Sequence, residues 1–355
     1  MPNVFKSFIV IIAICAVTIH ADRPQCWSAG QNGSQYIAVG LMREAGSATD
    51  QVAESAARAT TAAQTGDVYL FTSFRRNGED GLHLAFSRDG HKWTALNNDK
   101  PFLTPQIGEK EKLMRDPCLL QGPDGTFHLV WTTGWQDKKG FGYANSKDLI
   151  HWSDQKAVAV MAHEPTARNV WAPELFYDEA KKQFLLFWST TIPGRFPETD
   201  KTGNNGLNHR IYYVTTRDFQ TFSETKLLFD GGFNVIDATI LKANGKYYLI
   251  VKDETATPVK KNLRIAVSDD PEGPYANVSE PFTISWVEGP SAIRIGDEYF
   301  VYFDHYRTPH YYGAVKSKDL KNWQDVSNQI SFPKDHRHGT VIRVSEDVLK
   351  RLPGQ

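Results

Sequence analysis

Short apolar runs separated by Gly, Asp and Asn turns make up most of the chain from Asp67 onward. No stretch in this region has the 3.6-residue period of a long helix, whereas its short apolar and aromatic segments are typical of β-strands. Four of these runs are each followed, after a turn, by a second apolar run, which predicts antiparallel strand pairs. The second runs lie at residues 127–131, 184–188, 247–251 and 299–303.

A small turn motif recurs along this region: Ser or Thr, any residue, Asp, three further residues and an aromatic residue. The Asp nucleates a tight turn, and the aromatic residue then falls on an outer strand that packs between neighbouring sheets. The copies start at Ser87, Ser146, Thr216, Ser268 and Ser317, and the copy at Ser268 is a looser one. Gaps of 49 to 70 residues between the starts fit one four-stranded propeller blade per copy. The sequence therefore predicts an all-β fold, a five-bladed β-propeller.

The first repeat, at residues 68–93, has no inner strand of its own before it. The apolar segment at residues 338–344, near the C-terminus, is the natural candidate for that strand. Pairing the N- and C-terminal strands would close the ring and remove two exposed sheet edges. We therefore expect the propeller to occupy residues 66–347, followed by a C-terminal tail at residues 348–355.

Residues 1–21 have the pattern of a secretory signal peptide, with Lys6, an apolar run at residues 8–19 and a small residue, Ala21, for cleavage. The run is shorter than the roughly 20 apolar residues that a membrane-spanning helix needs. We expect a secreted, extracellular protein, or a periplasmic one in a bacterium; an uncleaved anchor is the alternative. Residues 22–65 show no clear strand pattern and are expected to form an N-terminal arm.

The formal net charge of −1, with no long basic run, gives no electrostatic reason to expect nucleic acid or an anionic membrane as a partner. After removal of the signal peptide no membrane contact is expected. The mature chain keeps two cysteines, Cys26 and Cys118. They form one disulfide in an oxidising compartment or stay as free thiols, and the sequence leaves both open.

Polar residues stand at the start of each predicted inner strand, where a propeller directs side chains into one central funnel. Each taken singly has an ordinary structural explanation, such as a strand cap before proline or a turn before Gly-Pro. Their shared register in successive repeats favours a functional cluster, because like charges in one site raise each other's pKa and are costly without a ligand or reaction. These residues are Asp116, the pair Trp171 and Glu174, Asp237, Glu288 and His338.

The segments around these residues resemble glycoside hydrolase family 43, the five-bladed arabinosidase and xylosidase family, over about residues 67–345. Ala238 stands where the family usually has Pro, and Arg337 stands where its closing motif usually has Gly. The similar segments are Arg-Asp-Pro at residues 115–117, Trp-Ala-Pro at 171–173, Ile-Asp-Ala at 236–238, Glu-Gly-Pro at 288–290 and His-Gly at 338–339.

The resemblance implies an inverting hydrolase that releases a pentose, arabinose or xylose, with galactose the less favoured sugar. Asp116 would be the general base, Glu288 the general acid with a raised pKa, and Asp237 the residue that tunes that pKa. Trp171, Trp135 and Arg115 would bind the sugar. His338 would sit below the sugar or hold an ion through water, so a structural calcium ion in the central channel is an expectation, although no cofactor is required.

Carbohydrate is the expected partner, and the chain is expected to be a monomer. A carbohydrate-binding propeller without catalysis is one alternative, although it has no need of three carboxylates in register. A fructan-cleaving enzyme of the related families 32 and 68 is another, because Arg115-Asp116-Pro117 also resembles their segment and Asn98-Asp99-Lys100-Pro101 imperfectly imitates their nucleophile segment. A sialidase is disfavoured because it needs six blades.

Overall fold

The computed structural model describes residues 67–355, which form five antiparallel β-sheets arranged as a five-bladed propeller. The inner strands of successive sheets contact one another around a ring, as expected for blades that surround a central axis. The predicted all-β fold and the predicted number of blades are confirmed.

Twenty strands and one short helix follow in chain order. They are β1 Asp67–Arg75, β2 His83–Ser87, β3 Thr94–Ala95, β4 Arg115–Gln121, β5 Phe127–Thr132, β6 Phe141–Ser146, β7 Lys156–Val158, β8 Trp171–Asp178, β9 Gln183–Thr191, β10 His209–Thr216, β11 Lys226–Phe229, β12 Val235–Ala243, β13 Lys246–Asp253, β14 Asn262–Ser268, β15 Val287–Ile295, β16 Glu298–His305, β17 Tyr311–Ser317, β18 Gln324–Asp325, β19 His336–Arg337, β20 Val341–Ser345 and α1 Glu346–Leu349. Short 3-10 helices lie at Asn97–Asp99, Pro197–Thr199, Asn204–Gly206 and Ser327–Gln329. Strands β4–β7, β8–β11, β12–β14 and β15–β18 form blades 2 to 5.

Blade 1 joins both ends of the described chain. Strand β20 pairs antiparallel with β1, with Val341 opposite Phe71, and so supplies the missing inner strand. The regular strand begins at Val341, three residues later than the segment predicted. Just before it, Gly339 passes so close to the backbone of Thr72 that a Cβ there would collide with the Thr72 carbonyl oxygen. The prediction that the C-terminal strand closes the ring is confirmed.

The recurring Ser-x-Asp motif forms the turn that the sequence predicts. In blade 1 the Ser87 hydroxyl accepts the N–H of Gly90 at 2.9 Å, and Asp89 Oδ1 accepts the N–H groups of His91 and Lys92. Trp93 is buried against Phe71 of its own blade and Tyr302 of blade 5. The same bonds recur in the copies that start at Ser146, Thr216 and Ser317.

Blade 4 differs from the expected four-stranded pattern. It has three regular strands, and a single bridge between Val267 and Ala276 stands in for the fourth. The looser motif copy explains the difference, since Pro274 has no N–H to donate to a strand ladder and the chain returns to β14 only after it. Expecting four regular strands in this blade was wrong.

The hydrophobic core is divided among the interfaces between blades. Five clusters of buried side chains occur, and each combines residues from two neighbouring blades. Trp131 of blade 2, for example, packs with Val68 of blade 1, and Trp188 of blade 3 packs with Phe141 of blade 2. Removing a large side chain from one of these clusters therefore loosens two blades at once.

The predicted signal peptide at residues 1–21 and arm at residues 22–65 lie outside the described residues, as does Cys26. Cys118 is buried, its sulfur accepts the N–H of Leu175 at 3.3 Å, and burial raises its pKa. The disulfide thus stays an open prediction. Within the described part of the chain, no helix has the length and apolarity that crossing a bilayer requires.

Candidate active site

Four inner strands are interrupted at the same end of the propeller. In β4, β8, β12 and β15 the pairing register shifts, and a residue at the shift adopts a left-handed backbone. The φ angles are 50° at Asp116, 47° at Ala172, 50° at Asp237 and 58° at Gly289. A non-glycine residue in this conformation costs on the order of 1–3 kcal/mol, a strain often found at functional sites. Bulges of this kind redirect side chains away from the regular alternation of a strand.

A pocket of about 270 Å³ opens at this end, and it brings together all seven residues that the sequence predicts for the site. Two larger grooves, of about 780 and 1030 Å³, lie between outer strands of neighbouring blades. We place the candidate site in the smaller pocket because its buried charged groups interact with one another. The seven residues are Arg115, Asp116, Trp135, Trp171, Asp237, Glu288 and His338.

Asp116 is held as a carboxylate. Its Oδ2 accepts the Thr132 hydroxyl at 2.8 Å, and its Oδ1 lies 3.1 Å from Nδ1 of His338. Burial is the largest single influence and favours the neutral acid. The charge and hydrogen bond of His338, the charge of Arg115 and the hydrogen bond from Thr132 together outweigh it and lower the pKa of Asp116 below its ordinary value. Burial likewise disfavours the imidazolium, yet Asp116 and Asp237 raise the pKa of His338 to about 9.

The surroundings of Asp237 act in the opposite direction and raise the pKa of its carboxyl group. The side chain is buried, and its Oδ2 accepts the N–H of Gly289 at 3.2 Å. Burial raises the pKa of Asp237, while the positive charges of His338 and Lys252 oppose that rise. Two carboxyl groups on the inner strands of blades 2 and 4, at the same end of the propeller, are therefore driven in opposite directions by their surroundings.

Glu288 sits between two cations. Its Oε2 lies 3.0 Å from Nζ of Lys252, and its Oε1 lies 2.9 Å from Nη2 of Arg337. The same Arg337 pairs through Nε with the buried Asp304 at 3.0 Å. Both cations stabilise a negative charge on Glu288, and its side chain remains 20% exposed at the pocket wall.

Lys252 belongs to a buried charge network that sequence reasoning missed. Its side chain is 2% exposed, and its Nζ also lies 2.8 Å from Glu254, which in turn pairs with Lys261. Lys252 and Arg337 therefore compensate the negative charge of the carboxylates, and the sequence analysis did not place either of them in the site. The one sequence signal was that Lys252 directly follows the apolar run at residues 247–251.

Two tryptophans form one wall of the pocket. Trp135 is 44% exposed and meets Trp171 edge to face, with ring centroids 5.6 Å apart. The guanidinium of Arg115 stacks on Trp135 at 4.1 Å, and Asn77 accepts hydrogen bonds from both Arg115 and Trp135. Arg115 therefore supports the aromatic wall from behind, and the exposed ring of Trp135 offers a flat apolar face.

A family model described as "probable glycosyl hydrolase domain", for relatives of glycoside hydrolase family 43, matches residues 65–349. The chain belongs to this family. A curated α-L-arabinofuranosidase of Bifidobacterium longum is 28% identical over an alignment that covers 67% of this chain. The chain spans only 29% of the length of that relative. Membership supports glycosidase activity and leaves the sugar open.

Solved structures with similar folds include an α-L-arabinofuranosidase from Lactobacillus brevis, with a TM-score of 0.47, 17% identity and coverage of 60% of this chain and 72% of that one. An exo-β-1,3-galactanase from Phanerochaete chrysosporium has a TM-score of 0.48 and 13% identity, with coverage of 63% and 52%. Similarities at this level do not bear on the substrate of this chain.

Two other polar residues that the sequence analysis singled out, Glu174 and Asp99, lie outside the pocket. Glu174, predicted beside Trp171, is buried and accepts hydroxyl hydrogen bonds from Thr340 at 3.0 Å and Thr239 at 3.4 Å. Burial raises the pKa of Glu174 to about 7. Asp99, the residue of the fructan-type alternative, does not line the pocket.

The predicted calcium ion finds a poor set of ligands around His338. Calcium takes six to eight oxygen ligands, whereas the oxygens of Glu174 already accept hydrogen bonds. Where no ion is bound, Asp116 and Asp237 raise the pKa of His338 to about 9, and the resulting imidazolium would repel a cation at that position. The calcium ion stays a prediction, and no catalytic step below uses it.

Proposed function

We propose that this chain is a secreted glycosidase that hydrolyses the bond to a terminal pentose, arabinose or xylose, with inversion. The observation that carries the proposal is that Asp116, Asp237 and Glu288, from three different blades, line one small pocket. The curated relative named α-L-arabinofuranosidase supports arabinose as the first sugar to test. Galactose is the less favoured sugar.

In the proposed reaction Asp116 acts as the general base. A water attacks the anomeric carbon from the side opposite the leaving group and gives its proton to the Asp116 carboxylate. The ion pair with His338 and the hydrogen bond from Thr132 keep this carboxylate ionised and oriented. An inverting pair needs about 6.5–9.5 Å between carboxyl groups so that the water fits.

Glu288 acts as the general acid and gives its proton to the glycosidic oxygen as the bond from that oxygen to the anomeric carbon breaks. Lys252 and Arg337 then stabilise the carboxylate that remains. The reaction therefore requires Glu288 to carry a proton when the substrate is bound. The buried Asp237 favours that proton through like-charge repulsion.

The roles are separated by varying the leaving group of aryl arabinofuranosides, from dinitrophenol to phenol. Glu288→Gln should lose about 10²–10⁴-fold in kcat on the phenyl substrate and much less on the dinitrophenyl substrate, which needs no proton. Asp116→Asn should lose activity on both. Glu298→Gln, a glutamate of the same blade outside the pocket, is the matched control.

A leaving-group-dependent loss in Asp237→Asn, instead of Glu288→Gln, would make Asp237 the acid and overturn the assignment. NMR of the first-formed anomer tests inversion. If the wild-type protein binds arabinofuranosides, xylosides and galactosides but hydrolyses none, the non-catalytic alternative is correct. Secretion is tested by N-terminal sequencing of protein from the culture medium, where we expect the mature chain to begin near residue 22.

A further inference from the structure

Three metal-binding side chains meet at the rim of blade 1, outside the pocket. His83 lies on β2, Asp99 ends a 3-10 helix and His336 lies on β19. Their nearest ligand atoms all lie within 4.8 Å of one another. Asp99 Oδ1 is the central atom, 3.3 Å from His83 Nδ1 and 2.8 Å from His336 Nε2. Two imidazoles and a carboxylate are a ligand set typical of zinc and similar ions.

The imidazole of His83 gives independent evidence for a ligand. The side chain is 1% exposed, and Nε2 is 3.1 Å from Asp80 Oδ2, a contact that fixes the proton on Nε2 and leaves a lone pair on Nδ1. That lone pair faces Asp99, and Nδ1 has no hydrogen-bond partner among the described residues. A buried nitrogen without a partner costs about 1–3 kcal/mol, and a metal ion would supply the partner.

We propose that His83 Nδ1, Asp99 Oδ1 and His336 Nε2 bind one divalent transition-metal ion of the zinc type. Ligands about 2.0–2.1 Å from a tetrahedral zinc ion lie roughly 3.3–3.4 Å from one another. The separation of 3.3 Å between His83 and Asp99 already has this value. The separation of 2.8 Å between His336 and Asp99 is that of a hydrogen bond and must open by roughly 0.5 Å.

The surrounding residues orient the three ligands. The Ser73 hydroxyl lies 2.7 Å from Nδ1 of His336 and can donate or accept there, so Nε2 can give up its proton to bind a metal. Arg75 holds Asp99 Oδ2 at 2.9 Å, so the other oxygen, Oδ1, is the one that faces both histidines. The Asp99 side chain is 34% exposed, so a water can take the fourth position.

Bound metal would tie β2 to β19 at the closure of the ring. Strand β19 pairs with the end of β1, and its second residue, Arg337, is the cation that contacts Glu288. The site is therefore structural, and it holds in place a segment of the proposed catalytic pocket. Its tests do not depend on hydrolysis, so this proposal stands or falls separately from the proposed function.

The test uses the full chain without a histidine tag, treated with EDTA and titrated with ZnCl₂ by calorimetry. We expect one zinc ion per wild-type chain, and with Co²⁺ the visible absorption of a four-coordinate site. His83→Ala and Asp99→Asn should lose this binding, and Asp80→Asn should weaken it by about 10–100-fold. Zinc should raise the melting temperature of the wild-type protein and leave the melting temperatures of His83→Ala and Asp99→Asn unchanged.

His151→Ala is the matched control, because His151 is an exposed histidine that pairs with an aspartate, Asp148, elsewhere on the surface. It should bind zinc like the wild-type protein. Circular dichroism in EDTA establishes folding, and Asp99→Asn keeps the shape of the side chain if His83→Ala does not fold. No zinc binding by the wild-type chain, or equal binding by the ligand variants, would overturn the proposal.

Discussion

Replacing Lys252 with Met removes the buried cation that joins Glu288 to Glu254. The Lys252 Nζ lies 3.0 Å from Glu288 Oε2 and 2.8 Å from Glu254 Oε2, and it also approaches the ring of Tyr306 at 4.6 Å. Met has a similar length and no charge, so it keeps most of the packing. The substitution therefore tests the charge of Lys252.

The loss of stability follows from the burial of the pair. Two unit charges 3.0 Å apart attract by roughly 5 kcal/mol at an effective dielectric constant of about 20, and the cost of burying the lysine offsets part of this. Removing one partner of a buried ion pair costs about 3–5 kcal/mol, since the other charge stays behind. At about 2–4 °C per kcal/mol, the melting temperature should fall by roughly 6–20 °C.

The same substitution changes how Glu288 holds its proton. Glu288 keeps its ion pair with Arg337 but loses the one with Lys252, so a negative charge on Glu288 is less stabilised. If Glu288 is the acid, the decline of kcat/KM on the basic side should move to higher pH in Lys252→Met. The assay is kcat/KM against pH with an aryl arabinofuranoside, together with calorimetric melting.

Lys261→Met is the control, because Lys261 is an equally buried cation that pairs with Glu254 and, among the described residues, has no ion pair with Glu288. It should lose stability without moving the pH profile. An unmoved basic limb in Lys252→Met, or an equal movement in Lys261→Met, would refute the assignment. A melting temperature within about 2 °C of wild type would refute the burial argument.

Three further substitutions test other parts of the molecule. Because the pKa of His338 is raised to about 9, its protonation stabilises the folded state fully below about pH 6.5, and this contribution is lost as the pH rises through about 9. Over this pH range the free energy of unfolding in urea should fall by on the order of 3 kcal/mol more for the wild-type protein than for His338→Gln. Trp135→Ala should raise KM roughly tenfold, because the ring offers the sugar an apolar face. The melting temperature should stay unchanged, because the ring is 44% exposed. An unchanged KM would show that Trp135 does not contact the sugar. Trp93→Ala should cost about 3–5 kcal/mol in urea unfolding and more than Trp323→Ala, since Trp93 fills the interface between blades 1 and 5 while Trp323 is half-buried.

The repeat architecture could be predicted from the sequence because each blade is a local unit. The turn at Ser87 and its copies depends on hydrogen bonds within about five residues, which a sequence motif records directly. Blade 1 has no inner strand of its own before it in the sequence, so the segment that starts at His338 was the candidate to supply that strand. Asp116, Asp237 and Glu288 could be placed in one pocket because the start of every inner strand faces the same axis.

The charge balance of the site was decided only by the tertiary structure. Lys252 reaches Glu288 from a neighbouring blade, and Arg337 reaches it from the closing segment, 49 residues away along the chain. Such pairs depend on how blades pack when the ring closes, and no local pattern encodes them. For this reason the sequence located the carboxylates but not the cations that control their protons. The histidine and carboxylate cluster shows the same limit: His83 and Asp99 both belong to blade 1, and only ring closure brings His336 to Asp99.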